Sequence, residues 1–476
     1  MAKRDSAPRG ASGLTPSFWI DPVIRFAGIA VLLLIPLTSS CTRRTDPRRL
    51  AVTNVTVIDI DIDAGELRPD QTILIAGDTI AAIGPADSID LPPRARTLDG
   101  RGRYVIPGLW DMHTHAHRDG RASWQYPAYL AHGVTGIRDA GTFADSATAW
   151  RERLRTDTLA PTVWWGSPPL DGVPAVLSFG VPIASPDEAR AAAQRFRALG
   201  YDFLKVYDRL DPASYRALAD EARRLGIPIE GHVPLRLSPG AAAVAGQRTI
   251  EHLTLVLESC IPGTLAWVAA DTGRDAMGLL ADGRLAVSLD RFDSRTCDAL
   301  LDTLATAGVW QVPTLVQMRG AFVEPGDAVT TDPRLRVVPA PVRERWLATR
   351  DDWSAEQRRS GRAVYRRQLA LVGAMHRAGV PLLAGTDASD EPWVIPGASL
   401  HDELALFVEA GLSPLDALRT ATSAPARYRG ESGPLLSPGK RADLVLLAGD
   451  PMQDIGALQR IEAVVLRGRV VAGRDP

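Results

Sequence analysis

Lysine is nearly absent from this chain. Of 54 basic residues in 476, only Lys3, Lys205 and Lys440 are lysines, and the other 51 are arginines. Neither sign of charge is in excess. With 56 acidic residues the net charge is −2, and nothing in it points to nucleic acid or to a basic membrane-binding surface. Cysteine is scarce, and its three copies permit one intramolecular disulfide at most. Long apolar runs are missing too: FAGIAVLLLIPLT, residues 26–38, is shorter than the roughly 20 residues a membrane-spanning helix needs. What is present is globular composition, 45% hydrophobic and 23% charged, long enough for one large and one smaller domain.

Lys3, Arg4, Arg9 and Arg25 precede that apolar run and SSC follows it, so residues 1–41 read as a signal peptide. The ending is similar to a bacterial lipoprotein signal with Cys41 as the lipidated residue, although Thr38 stands where such signals usually carry Leu. The expected location is outside the cytoplasm, either periplasmic or lipid-anchored to a membrane at Cys41. A plain cleaved signal and an uncleaved anchor are the alternatives. With Cys41 so used, Cys260 and Cys297 remain as an even pair in an oxidising compartment. A disulfide between them is expected, against the alternative of two separate buried thiols.

Both ends of the remaining chain alternate as strands do. VTNVTVIDI and ILIAGDTIAAIG, the latter turning at Gly77-Asp78, are matched after Ser437 by ADLVLLAGDP and IEAVVLRGRVVAG. Residues 42–106 and 434–476 are therefore assigned to one small β domain. Between them, over 107–433, short apolar runs alternate with amphipathic segments. One such segment, SPDEARAAAQRFRALG, opens on Ser185 as N-cap and stops at Gly200. Counting PGLWDMHTH first, TVWWGS third, YDFLKVYD fourth and VPLLAGTDAS last gives eight apolar strands separated by helices. The predicted class is α/β, a (β/α)8 barrel of the TIM type with a small β-sandwich domain built from both chain ends. Leu255–Asp293 and Val316–Gly361 are too long for simple connections and are expected to wall or cover a substrate.

In such a barrel the reacting groups stand at the C-terminal ends of strands. His113 and His115, two apart in DMHTH, point to one side of the first strand. Lys205 ends the fourth, His232 the fifth, His252 the sixth and Asp387 the eighth. Four of only eight histidines fall at these ends, which packing alone does not explain. Neutral imidazoles with a carboxylate are ligands for divalent metals, zinc above all. Four histidines and Asp387 exceed what one catalytic zinc with an open position takes. They suit two ions roughly 3.5–4 Å apart, which need an anionic bridge. No acidic residue ends the fourth strand, but Lys205 does. Either its stem snorkels to the strand end, or the site uses an amine able to lose its proton, as a guanidinium cannot. A neutral amine can add carbon dioxide to form a carbamate with two oxygens, and burial beside cations favours that neutral form.

PGLWDMHTH, the fourth-strand lysine, EGHV, IEHL, GTDA, SLHDELALFVEAGLSPLDALRTAT and SPGKRADLVLLAGDP together resemble the metal-dependent amidohydrolase superfamily over residues 50–476. Within it the chain is similar to the binuclear branch with a carbamylated lysine, which includes prolidase-like and imidazolonepropionase-like enzymes. The resemblance implies that His113, His115 and Asp387 hold one ion and that His232 and His252 hold the other. Lys205, as carbamate, would bridge both, with zinc the expected metal. It also implies hydrolysis of a carbon–nitrogen bond, as in a dipeptide or N-acyl amino acid, by a hydroxide shared between the metals. Asp387 would act as general base and then as general acid. The partner is a small-molecule substrate, and self-association stays open.

Several other residues admit a site role beside a structural one. Tyr207 shares the face of Lys205 and is expected to reach a substrate carbonyl or carboxylate. Arg138 either binds a substrate carboxylate or forms a structural pair near Asp139 or with Asp111. His117 and His401 either line the site or serve packing and capping. Trp164, Trp165 and Trp393 either wall the substrate or pack. His132, His376 and Lys440 are read as structural. A mononuclear deaminase is the first rival reading; it would not need Lys205, and it normally uses an acidic residue beside the histidine of the fifth strand, where Glu230 precedes His232. Lactone or phosphoester hydrolysis on the same barrel is a second, and a non-catalytic exported binding lipoprotein a third.

Overall fold

A computed structural model of the chain describes residues 46–61, 65–156, 159–271, 273–323, 331–348, 353–388 and 392–473; the expected signal peptide and Cys41 lie outside them. Alternating apolar positions make β1 (Asp46–Asp59) and β2 (Glu66–Ala76) antiparallel neighbours. The chain then turns at Gly77, φ +65°, into β3 (Thr79–Pro85), the hairpin expected there. β4 (Ala95–Asp99) and β5 (Tyr104–Pro107) run parallel to β1.

One residue later β6 (Leu109–Thr114) begins a different architecture. With β7 (Val134–Asp139) and β8 (Thr162–Trp165) it forms a parallel three-stranded sheet. At Gly136 a Cβ would sit 2.1 Å from the Trp110 ring, so this pairing requires glycine there. A second parallel sheet has the order β10 (Val181–Pro182), β9 (Leu170–Asp171), β11 (Leu204–Val206), β12 (Ile229–Gly231), β13 (Gln247–Glu251), β14 (Trp310–Val312). Single parallel bridges join Gly166 to Phe203, Gln311 to Leu382 and Thr114 to Ala388. The last two involve the expected eighth strand. It bonds to both neighbours, with Leu383 N–H donating to Gln311 O (2.9 Å) and Met112 N–H to Ala384 O (2.9 Å). Yet it forms no regular strand, and Asp387 near its end, at φ +66°, lies outside the β region.

Helices between these strands start and stop where local chemistry requires. Ser185 accepts the Glu188 N–H ahead of Pro186–Ala198, and Gly200 at φ +75° follows its end. Asp211 caps Pro212–Leu225, which Gly226 ends at φ +63°. The insertion expected at Leu255–Asp293 is a set of short helices, including Val256–Ser259, Thr264–Ala270 and Ala276–Ala281. The disulfide between Cys260 and Cys297 closes its base, with Cα atoms 4.4 Å apart. The second insertion is shorter than Val316–Gly361. A capping box of Ser354 and Gln357 already opens the long helix Ala355–Arg377, so Gly361 lies inside that helix.

After the helix Ala398–Glu409 and two shorter ones, the chain returns to the first sheet. β15 (Leu444–Leu447) pairs antiparallel with β5 and leads to β16 (Ile461–Leu466) and β17 (Arg469–Gly473). Both chain ends thus share one eight-stranded sheet, ordered β17-β16-β15-β5-β1-β2-β3 with β4 beside β1. Val55, Ile73 and Ile75 of its first part pack in one core with Leu444, Leu446 and Val465 of its last.

Candidate metal centre

His113 and His115 come from the end of β6, and Asp387 reaches them because its N–H bonds to His113 O at 2.8 Å. Asp387 Oδ1 lies 3.4 Å from His113 Nε2 and 3.2 Å from His115 Nε2. One ligand atom from each of these three buried residues falls within 4.8 Å of the others. The His252 ring, from just beyond β13, lies 4.6 Å from that of His113 and 5.0 Å from that of His232. Tyr207 stacks on His232 at 4.1 Å. Lys205 is 2% exposed, and its charge acts on His113, His252, Glu251 and Asp387. A Cβ at Gly231, φ +126°, would stand 2.4 Å from Val206 O and 3.0 Å from the Lys205 stem, so the close approach of β12 to β11 beside the lysine requires glycine.

Each of the four imidazoles has its Nδ1 engaged. His113 Nδ1 meets Glu251 Oε2 (2.6 Å) and His115 Nδ1 meets Gly141 O (2.9 Å). His232 Nδ1 meets Asp208 Oδ1 (2.6 Å), and His252 Nδ1 meets Thr314 Oγ1 (2.7 Å). A proton held on Nδ1 leaves the Nε2 lone pair free, which is the arrangement of metal-binding histidines. His113 Nε2 and Asp387 Oδ1 are buried without a hydrogen-bond partner, a costly state that a cation between them would relieve. Residues present and chemistry required therefore fit. His252, Thr314 and Asp387 all lie at positive φ (+56°, +49°, +66°), as strained positions at functional sites do.

The electrostatics suit neutral ligands. Burial, with Lys205 beside it, pushes His113 well below its ordinary value despite Glu251. Burial and His113 do the same to His252. For Asp387 burial acts upward, but the neighbouring His115 ring and the charges of His252 and Lys205 bring it below its ordinary value. Burial, opposed by Glu251 and assisted by Arg138, lowers Lys205 to about 8. Behind His113, Glu251 accepts from Arg138 (2.7 Å), which also binds Glu230 (2.6 Å).

The cluster opens into a cavity of about 320 Å³ lined by His115, Lys205, Tyr207, His232, His252 and Asp387, with His113 fully buried beside it. The first insertion supplies much of the apolar wall, including Trp267 and Leu279. Trp164, Trp165 and Trp393 do not line it. Trp165 packs on His117, Trp164 lies against the Trp110 core and Trp393 faces Trp346. Arg138 is no carboxylate site, and its partners are Glu230 and Glu251 rather than Asp111, which binds Thr386 instead. His117 spends both ring nitrogens on Asp139 and Tyr126, and His401 bonds to His132 O, so neither reaches the site. His132 Nδ1 bonds to Ala128 O, His376 faces Asp416 and Lys440 bonds to Ser432 O, all structural as expected. Glu230 binds Arg138 and Tyr428, away from the cavity.

Sequence reasoning missed Glu251, Asp208 and Thr314. Glu251 directly precedes His252, and simple alternation would turn it away. The left-handed turn at His252 breaks that alternation and lets both neighbours serve the site. Asp208 follows Tyr207 for the same reason of proximity, and Thr314 stands just past β14, whose end had carried no candidate.

A family model, the amidohydrolase family, matches residues 104–471. Imidazolonepropionase of Chloroflexus aggregans is 28% identical over 425 residues, 85% of this chain and 92% of that protein. Among solved structures, bottromycin amidohydrolase superposes with a TM-score of 0.70 at 25% identity, covering 89% of this chain and 87% of that one. A Xaa-Pro dipeptidase with bound methionine superposes with a TM-score of 0.64 at 18% identity, over 89% of this chain and 99% of the other.

Proposed function

The chain belongs to the amidohydrolase family and is a metal-dependent hydrolase of carbon–nitrogen bonds, and from that premise we propose that it cleaves the amide of a dipeptide or N-acyl amino acid at a centre of two divalent ions. The observation that carries this reading is the convergence of four Nδ1-anchored imidazoles, a buried lysine and Asp387 on one cavity. His113, His115 and Asp387 would hold one ion and His232 and His252 the other, with Lys205 between them as a carbamate. Zinc suits this nitrogen-rich set. Bound divalent ions supply an acidified water and a polarised carbonyl.

The protein's own groups do the rest. Asp387 takes up the proton of the attacking water and returns it to the leaving nitrogen. Tyr207, whose hydroxyl burial keeps well above its ordinary value and hence protonated, donates a hydrogen bond to the substrate carbonyl or carboxylate. The apolar insertion wall excludes water from the bond being cleaved. We read the parallel segments over 107–433 as a closed (β/α)8 barrel, supported by the bridges at Gly166, Gln311 and Thr114, and the terminal sheet over 42–106 and 434–476 as a β-sandwich, supported by its shared core.

The test is a turnover screen of dipeptides and N-acyl amino acids with the zinc-loaded protein, Lys205→Ala serving as control. Turnover with about two ions per chain, both lost in Lys205→Ala, is the expected result. Full activity of that variant would remove the bridging lysine from the reading, and one ion per chain would favour a mononuclear centre.

A further inference from the structure

The cavity also has polar lining that the hydrolytic groups do not use. The chain leaves β13 through three left-handed residues, His252, Leu253 and Leu255 (φ +56°, +54° and +61°), and then forms the short helix Val256–Ser259. Glu258 of that helix lines the cavity. Its carboxylate meets its own backbone N–H and, among the described residues, no cation; burial pushes it up to about 7. From the other side comes Gln368, 3% exposed, on the helix Ala355–Arg377 that packs against the Glu258 helix. Gln368 lines the same cavity, and its carboxamide oxygen is buried without a hydrogen-bond donor. Two acceptors thus share a cavity whose wall here is Trp267, Leu279 and Met318.

A carboxylate in apolar surroundings is costly without a countercharge, and a buried amide oxygen without a donor adds to that cost. A ligand able to relieve both must carry positive charge and several N–H donors in a small volume. We propose that this part of the cavity is a subsite for a primary ammonium group at the tip of an apolar stem, donating to Glu258 and Gln368. An ammonium offers three donors and no acceptor, matching a carboxylate that has no countercharge and an amide oxygen that has no donor, and its stem would lie along Trp267, Leu279 and Met318. The disulfide at Cys260, two residues beyond Glu258, ties this wall to the helix Ser294–Ala307 and fixes the carboxylate in place. The subsite rests on the hydrolase reading of the same cavity, to which it adds a substrate positively charged at a distance from the scissile bond.

The test uses binding rather than turnover, so that its outcome is separate from the identity of the hydrolysed bond. Titration calorimetry on the zinc-loaded full chain compares n-hexylammonium, 1-hexanol and n-hexylguanidinium. Hexylammonium is expected to bind at least tenfold more tightly than either of the others. Glu258→Gln is expected to abolish that preference and Gln368→Leu to reduce it, with the hexanol affinity and the metal content unchanged in both. Equal affinity for amine and alcohol in the unaltered protein overturns the subsite, as does preference for the guanidinium. Undiminished ammonium binding in both variants, each melting as the parent does, overturns it equally.

Discussion

Glu251 touches His113 on one side and Arg138 on the other, all three fully buried, so its charge both orients the imidazole and offsets the guanidinium. Glu251→Gln keeps the shape but weakens that hold. Metal affinity should fall about 10- to 100-fold in a chelator competition, as for other partners behind metal-binding histidines, while the melting temperature moves little. Unchanged affinity would mean that packing alone positions the ring. Arg138→Leu is a harsher change, because it removes the buried guanidinium that Glu230 and Glu251 share, and a loss of about 3–5 kcal/mol in unfolding free energy is expected. Lys205 carries a pH signature. With burial bringing it to about 8, the neutral amine of the metal-free protein increases as pH rises through that value rather than through 10.5. About one molecule in ten would be neutral at pH 7, against fewer than about one in a thousand for an ordinary lysine. Carbamate formation, read by carbon-13 NMR with labelled bicarbonate, should therefore climb between about pH 7 and 9. It should be absent at every pH in Lys205→Arg, and a midpoint near 10.5 would refute the effect of burial.

The first insertion behaves as an element of its own, because the Cys260–Cys297 bond closes the segment that holds Trp267 and Leu279. Replacing both cysteines by serine removes that closure without touching a metal-binding side chain. New proteolytic cuts are expected within 261–296, with a raised KM and unchanged zinc content. Cuts appearing first in the helix Pro212–Leu225 would show that the bond supports the whole fold instead. A second link runs through the helix Leu315–Phe322. Glu403, from the helix Ala398–Glu409, accepts the N–H groups of Leu315 (2.9 Å) and Val316 (2.8 Å), and the preceding Thr314 bonds to His252. Two neighbouring helices thereby hold one site histidine through a chain of hydrogen bonds.

For the molecule as a whole, the terminal sheet and the parallel region are joined through β5 and β6, separated only by Gly108, where a Cβ would stand 2.1 Å from Thr135 Oγ1. β15 is the neighbour of β5 on the side away from β1, so the last part of the chain completes the sheet from which the His113 strand emerges. Ending the chain at residue 433 would expose that edge and remove Leu444, Leu446, Val464 and Val465 from the core. Each such side chain contributes about 1.5–3 kcal/mol, so their sum is comparable to the roughly 5–15 kcal/mol that holds a domain folded. The truncated chain should be insoluble or lack the cooperative melting seen by circular dichroism. A folded, zinc-binding fragment ending at 433 would contradict this.

The strand-end positions of His113, His115, Lys205, His232, His252 and Asp387 were legible from the amino-acid order alone. Alternation and strand length are local properties, and a parallel α/β arrangement brings such ends together. Helix starts at Ser185 and the pairing of two cysteines were legible for similar reasons of local chemistry and parity. The partner of Arg138 was not, because Glu230 and Glu251 lie 92 and 113 residues away and only packing brings them to it. Nor was the choice of Trp267 over Trp164, Trp165 and Trp393 as cavity wall, or the presence of both Glu258 and Gln368 in the lining of that cavity. Those depend on how helices of an insertion lie over a strand end, and no periodicity encodes an approach between segments so far apart in the chain.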